Sequence, residues 1–358
     1  MPKVRHDAIT DEERELAARC KTYEEYEQSG GKRSRSSWRD IRFVLKKQAI
    51  AEANERASPV PLPAKDDLDI EDYYAAVKRV TAVQIERQDK PTEVRWTAPD
   101  DNYVGLVFVG DIHVGGLIDY DRLERDLAII RDNEGLHAVG MGDYADHFES
   151  AGKLQHAMAG NTVPGTDDQD QLVQHIMGMV GRKWIAVLAG NHDDWSGPSS
   201  VQRLARHLGA QYVSQGGCSL KITVGGERYV GYAKHTWRGH SSISTSNESR
   251  RFWLEWNDFE NADFTVLAHF HQPDTHQVER KGQTVGHIRG GTYKVVDSHS
   301  ARLGFDPGYG PGMVILNPFA HEVIPFHGPN WLRGVQMLQW LRSKPRDKTD
   351  LLMFGDGQ

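Results

Sequence analysis

Five short apolar runs, each ending in side chains able to hold a metal, constrain this sequence more than any other feature. Residues 104–109 lead to Asp111-Ile112-His113, and residues 136–141 lead to Gly142-Asp143-Tyr144-Ala145-Asp146. Residues 184–189 lead to Gly190-Asn191-His192-Asp193, residues 229–233 to His235, and residues 264–268 to His269-Phe270-His271. Apolar runs of this length rich in valine and isoleucine read as buried strands. Between them, 120–133 (Leu123, Leu127, Ile130) and 201–208 carry helical spacing, and such alternation is the grammar of an α/β fold with a layered sheet core flanked by helices. Parallel strands present their carboxyl ends on one edge of a sheet, where ligands bind. The pairs Asp111/His113 and His269/His271 are expected to lie in extended tips, where residues i and i+2 point the same way.

No single piece is decisive in a chain with 17 histidines, since a D-x-H triplet is cheap. Gly-Asn-His-Asp after a buried strand is more specific, because glycine frees a tight turn while Asn and His are costly to bury without partners. The ordered recurrence at five successive strand ends carries the inference. The two cysteines, Cys20 and Cys218, make neither a disulfide framework nor a cysteine metal site. A metal centre here is therefore built from nitrogen and oxygen donors, which suit manganese first, with iron, zinc and nickel as alternatives.

The chain has 358 residues, room for about two domains, and a net charge of −7 that disfavours coating nucleic acid over its whole surface. No apolar run approaches the roughly 20 residues a bilayer needs, and the first residues show no apolar signal segment, so a cytoplasmic protein without a membrane partner is expected. The organisation reads as a helical, helix-turn-helix-like module over 1–56, then a Pro-rich and acidic linker with a connecting helix over 57–100. The α/β domain follows over 101–330, and a helix and tail over 331–358. In the module, Ser36 or Ser37 is expected to cap a helix reaching about residue 55, with Arg39, Arg42 and Lys46 on one stripe. From Lys32 to Lys47 the basic residues Lys32, Arg33, Arg35, Arg39, Arg42, Lys46 and Lys47 face one acid, Asp40. Two readings stay open: Arg39, Arg42 and Lys46 contact DNA, or the basic face serves a homo-oligomer.

At the strand ends the chain resembles the calcineurin-like metallophosphoesterase superfamily, whose signature is D-x-H, G-D-x-x-D, G-N-H-[DE], a lone His, and G-H-x-H. The resemblance implies one metal held by Asp111, His113, Asp143 and His271, and a second held by Asp143, Asn191, His235 and His269, with Asp143 as the bridge. His240 rivals His235 as the lone histidine. The resemblance further implies a dinuclear-metal-dependent phosphoesterase in which a hydroxide held between the metals attacks phosphorus, with Asp143 and His192 as catalytic residues and His192 as the acid. His147-Phe148 stands where protein serine/threonine phosphatases carry Arg-Gly, and Ala268 where the family usually has glycine. Val114-Gly115 after His113 is similar to the D-x-H-[LV]-G form of double-strand-break repair nucleases, and more softly 290–313 is similar to DNA-repair exonuclease-like phosphoesterases of phages and prophages. That implies a nuclease acting on DNA, in a host cytoplasm if phage-encoded; the alternative is an esterase of small substrates such as cyclic nucleotides, its helices used for oligomerisation.

Overall fold

In the computed structural model, strands of opposite character build the core. The structure describes residues 10–20, 23–39, 41–42, 44–45, 48, 69–88, 92–147, 163, 165–195, 199–239, 241, 247–256, 262–280, 283–295 and 308–344. It divides into two compact units, 1–58 and 59–358.

In the first unit, α1 (Asp11–Arg19) opens with a capping box, Thr10 accepting from the Glu13 amide while the Glu13 carboxylate takes the Thr10 amide. Together with α2 (Tyr23–Gln28), it packs Ala17, Cys20 and Tyr26 against Trp38 and Ile41. The helix carrying Trp38 starts at residue 35, capped by Ser34, whose Oγ accepts from the Ser37 amide at 3.3 Å. Ser36 and Ser37 thus lie inside the first turn, a correction to the expected cap: of three serines in a row of four, the first has its hydroxyl over the free amides.

The second unit begins with α3 (Ile70–Gln88) and holds two six-stranded sheets. One sheet runs β12 (Val323–Phe326), β11 (Gly312–Leu316), β2 (Val104–Val109), β3 (Leu136–Gly140), β4 (Trp184–Leu188) and β5 (Gln211–Val213). Its strands β2 to β5 are parallel, and β11 closes antiparallel on β2. The other runs β1 (Thr92–Thr97), β6 (Cys218–Val224), β7 (Glu227–Ala233), β8 (Phe264–Leu267), β10 (Gln283–Arg289) and β9 (Asp274–Arg280), with β7, β8 and β10 parallel. Thr92–Thr97, expected in the connecting segment, is an edge strand because it pairs in parallel with β6 and buries Val94 and Trp96.

Between the sheets lies one continuous core, in which Leu106, Phe108, Leu188 and Val314 of the first sheet meet Leu220, Tyr229, Phe264 and Ile288 of the second. Phe108 and Phe264 touch across it with ring centroids 6.1 Å apart. Each such side chain, fully buried, contributes roughly 1.5–3 kcal/mol. Outside the first sheet, α4 (Tyr120–Asp132) buries Leu123, Leu127 and Ile130 at spacings of four and three. Also in the second unit are α5 (Thr166–Gly178), the short α6 (Asn191–Trp195), α7 (Ser199–Leu208) and α9 (Trp331–Ser343), the three longer ones burying their apolar stripes. Outside the second sheet, α8 (Asn247–Glu255) places Phe252 and Trp253 against Tyr232 and Leu267. No helix among the described residues is long and apolar enough to cross a membrane.

Candidate metal centre

Both sheets end their parallel strands at the same place, and the backbone there is abnormal. Among the described residues, six non-glycines have positive φ: Asp111 (49°), His113 (59°), Asp143 (52°), His147 (50°), His269 (74°) and His271 (54°). Five of these are the expected ligands. The extended tips foreseen for Asp111/His113 and His269/His271 are therefore wrong. Each of these residues sits in a left-handed bend, and the side chains converge through those bends rather than through the pleat. Such conformations cost roughly 1–3 kcal/mol each and persist where surrounding structure over-determines them. Here the surroundings include three backbone bonds: the Asp111 amide to the Gly142 carbonyl at 2.9 Å, the His113 amide to the Asp143 carbonyl at 3.1 Å, and the His269 amide to the Asp111 carboxylate at 2.8 Å.

Three metal-capable groups result among the described residues: two consist of expected ligands, and the third, His113, Asp146 and His192, shares His113 with the first. Asp111, His113 and His271 bring one ligand atom each within 4.8 Å of one another, and so do Asp143, His235 and His269. His113 Nε2 faces His271 Nε2 at 3.1 Å, and His271 Nε2 lies 3.7 Å from Asp111 Oδ1. On the other side, His235 Nε2 lies 3.0 Å from Asp143 Oδ2 and 3.2 Å from Asn191 Oδ1, with His269 Nδ1 3.9 Å from the same Asp143 oxygen. His235 is thus the lone histidine brought to the cluster, while His240 lies outside the described residues.

The supporting hydrogen bonds fix which nitrogen each ring offers. His235 Nδ1 donates to the Met141 carbonyl at 2.7 Å, and His113 Nδ1 to Asp146 Oδ1 at 2.7 Å, which aims both Nε2 atoms into the site. Burial works downward on His235, but the charge and hydrogen bond of Asp143 prevail and push it up to about 10, so its Nε2 carries a proton given to Asp143 that a metal would displace. Burial first, then the neighbouring charges of His192, His271 and Lys294, hold His113 well below the ordinary imidazole value. For Asp143, burial works upward, but the charge and hydrogen bond of His235 prevail and hold the carboxyl well below the usual range. Asp193 knits the loops: it accepts from the amides of Gly190 (2.8 Å), Asp143 (2.8 Å) and Tyr144 (3.2 Å). A side chain at position 190 would overlap the Asp143 carboxylate, which explains the glycine before Asn191 better than turn freedom does.

Two ligand atoms are buried and have no hydrogen-bond partner, Asp111 Oδ1 and His269 Nδ1. A buried acceptor left unsatisfied costs about 1–3 kcal/mol. One in each cluster, beside imidazole nitrogens and carboxylates, is the donor set a pair of divalent cations would satisfy. The residues therefore fit divalent metals: Asp111, His113 and His271 would hold one, and Asp143, Asn191, His235 and His269 another.

His192 stands at the edge of this set, in a metal-capable group with His113 and Asp146. Its Nδ1 donates to the Asp146 carbonyl at 2.8 Å, and its ring is held between His113 (centroids 4.7 Å) and Trp195 (4.2 Å). Burial lowers its proton affinity, against the pull of Asp143. Three residues were given no role by the sequence: Asp146, pushed by burial to about 6 and orienting His113; Asp193; and His147, bonded to the His192 carbonyl at 3.2 Å and to Asp170 at 2.9 Å. Of these, Asp146 and Asp193 carried a signal, as the last letters of G-D-x-x-D and G-N-H-D. Arg39 is exposed in the amino-terminal unit, Arg42 donates to the Cys20 carbonyl at 2.8 Å, and Lys46 lies outside the described residues.

The calcineurin-like phosphoesterase family matches residues 105–310. No curated protein matches. Among solved structures, a Vps29 single mutant from Entamoeba histolytica is 14% identical over 62% of this chain and 99% of its own, with a TM-score of 0.34. A predicted phosphoesterase from Streptococcus pneumoniae is 12% identical over 63% and 97%, with a TM-score of 0.30. GAP50 of Plasmodium, titled the anchor in the inner membrane complex, is 12% identical over 70% and 93%, with a TM-score of 0.35. The family match spans more than half of the chain and contains every ligand that the two sheets bring together, so the chain belongs to the calcineurin-like phosphoesterase family.

Proposed function

We propose that the protein is a metal-dependent phosphodiesterase acting on DNA. The convergence of Asp111, His113, Asp143, Asn191, His235, His269 and His271 on two adjoining positions carries the hydrolytic part of this reading. Two divalent cations bound there, manganese by preference, supply a water acidified toward neutral pH and positive charge for the phosphoryl oxygens. The chain's own residues do the rest. Asp143 would bridge the two cations; Asp146 and the Met141 carbonyl hold the His113 and His235 rings in register. His192 Nε2 gives a proton to the departing ester oxygen. A general acid must be protonated, and the phosphate anion arriving beside His192 offsets the burial that otherwise keeps the ring neutral.

For the substrate, the exposed Lys32 and Arg39 support DNA, with Arg39, Arg42 and Lys46 as the proposed contacts. A second reading has its own observation. Arg33 is bound to Glu13 at 2.8 Å, Arg35 is paired with Glu24, and Arg42 is spent on Cys20, so much of the basic stripe holds the module together. That favours a small phosphoester, with the helices serving a homo-oligomer. A manganese-supplemented activity panel on single-stranded DNA, duplex DNA, bis-p-nitrophenyl phosphate and p-nitrophenyl phosphate tests the choice. Alongside it, Arg39→Gln is expected to flatten the log–log salt slope of DNA binding by about 0.9, one phosphate contact. An unchanged slope with altered sedimentation selects the oligomer.

A further inference from the structure

One cation stands at the centre without a role in the reading above. After β10 the chain runs through Gly290-Gly291-Thr292-Tyr293-Lys294, and this segment is fastened to the loop that carries the first ligands. Thr292 Oγ1 donates to the Asp111 carbonyl at 2.6 Å, the Tyr293 amide to the same carbonyl at 3.3 Å, and the Lys294 amide to Thr292 Oγ1 at 3.0 Å. On the far side the Val295 amide donates to the Leu117 carbonyl at 2.9 Å. Tyr293 is buried, its hydroxyl on Asp126, which pins the backbone from below. So the Lys294 main chain is tied to the loop that carries Asp111.

The side chain is 16% exposed, and its Nζ lies 3.8 Å from Asp146 Oδ1. That oxygen already accepts from His113 at 2.7 Å, and 3.8 Å is a charge contact rather than a hydrogen bond. The ammonium therefore reaches the rim of the centre, and its charge is felt at His113, His192 and Asp146. His147, the cationic candidate nearest in sequence to Asp146, is committed elsewhere, to Asp170 and the His192 carbonyl.

We propose that Lys294 is a substrate-binding residue, its ammonium donating to a non-bridging oxygen of a phosphodiester beside His192. An ammonium is a point charge matched to a single anionic oxygen, whereas the multiple charged oxygens of a monoester suit a guanidinium fork. A diester brings one negative charge; a monoester dianion brings two, against the Asp146 carboxylate. This rests on the phosphoesterase reading and names its substrate class.

The test uses full-length, manganese-loaded protein with Lys294→Met, which keeps the length and loses the charge, Lys294→Gln as a second neutral variant, and Lys294→Arg. Metal equivalents are measured by elemental analysis, and binding of a dithymidine phosphorothioate, a slowly hydrolysed diester, by calorimetry. KM is measured for bis-p-nitrophenyl phosphate. The neutral variants are expected to keep the wild-type metal content and to weaken diester binding and raise KM by roughly 10–100-fold, the worth of one hydrogen bond to a charged group. Arg is expected to restore most of the affinity. Unchanged diester binding in the neutral variants overturns the proposal, as does equal loss in Arg and Met. Loss of metal with normal diester binding once metal is saturating overturns it too, making Lys294 a counter-ion of Asp146. A wild type with no metal-dependent nitrophenol release overturns the phosphoesterase reading and this proposal together; an active wild type with unaffected variants overturns Lys294 alone.

Discussion

Two histidine clusters lie in the same α/β unit, and they are built in opposite ways. At the strand ends, His113, His235, His269 and His271 sit among the carboxylates of Asp111 and Asp143, mostly on left-handed backbone, with ring nitrogens aimed at one another. On the β9–β10 pair, His276 and His287 face each other in regular antiparallel register and stack with centroids 4.6 Å apart and planes 27° from parallel. No carboxylate joins them in a metal-capable group among the described residues; Thr265 bonds His287 at 2.7 Å and Trp253 covers it at 5.5 Å. Burial pushes His287 down to about 3 and lowers His276, so this pair stays neutral and packs as flat aromatic rings. The lesson is that histidines alone say little. Carboxylate partners and a strained backbone separate a site from a core.

Histidine substitutions in the two regions test that contrast. The largest effect is expected at His192, which joins the first cluster through Asp146. His192→Ala should leave the metals in place and lower turnover by roughly 10²–10⁴-fold on substrates with poor leaving groups, with smaller losses on nitrophenyl esters. Equal losses on both kinds of substrate would mean that His192 is not the acid.

A smaller effect, on stability and not on turnover, belongs to His287. Its folded-state value of about 3 lies below the unfolded value near 6.5, so nothing is lost above pH 6.5. As pH falls below 6.5 the unfolded chain takes up a proton that the fold refuses, and stability drops by about 1.4 kcal/mol per pH unit until about pH 3. In urea melts of metal-free protein between pH 6 and pH 4, His287→Gln should flatten the pH dependence by that slope. An unchanged slope would show that the buried ring is charged in the fold, and the contrast between the clusters would fail.

Much of this was legible in the sequence, for physical reasons that differ by element. Val104–Val109 and Trp184–Leu188 are buried on both faces, so their apolar runs are uninterrupted and their ends obvious. Cys218–Val224 escaped because it includes Ser219, Lys221 and Thr223, and Thr92–Thr97 because its exposed Glu93 and Arg95 alternate with the buried Val94 and Trp96 at a sheet edge. The ligand set was visible as letters after each strand, yet the left-handed bends were not, since Asp and His favour that backbone more than most residues but far less than glycine, too weak a signal to place a bend. Lys294 was invisible as part of the centre: it lies 148 residues from Asp146, and only the fastening of Thr292 and Tyr293 to Asp111 brings it there.

The central claim, that the strand ends hold two cations sharing Asp143, is tested most directly by counting metal. Wild-type protein titrated with manganese and freed of excess should carry two equivalents per chain, and Asp143→Asn should weaken both sites together, since its carboxylate is the proposed bridge. One equivalent or none in the wild type, or two equivalents retained at unchanged affinity in Asp143→Asn, would contradict it.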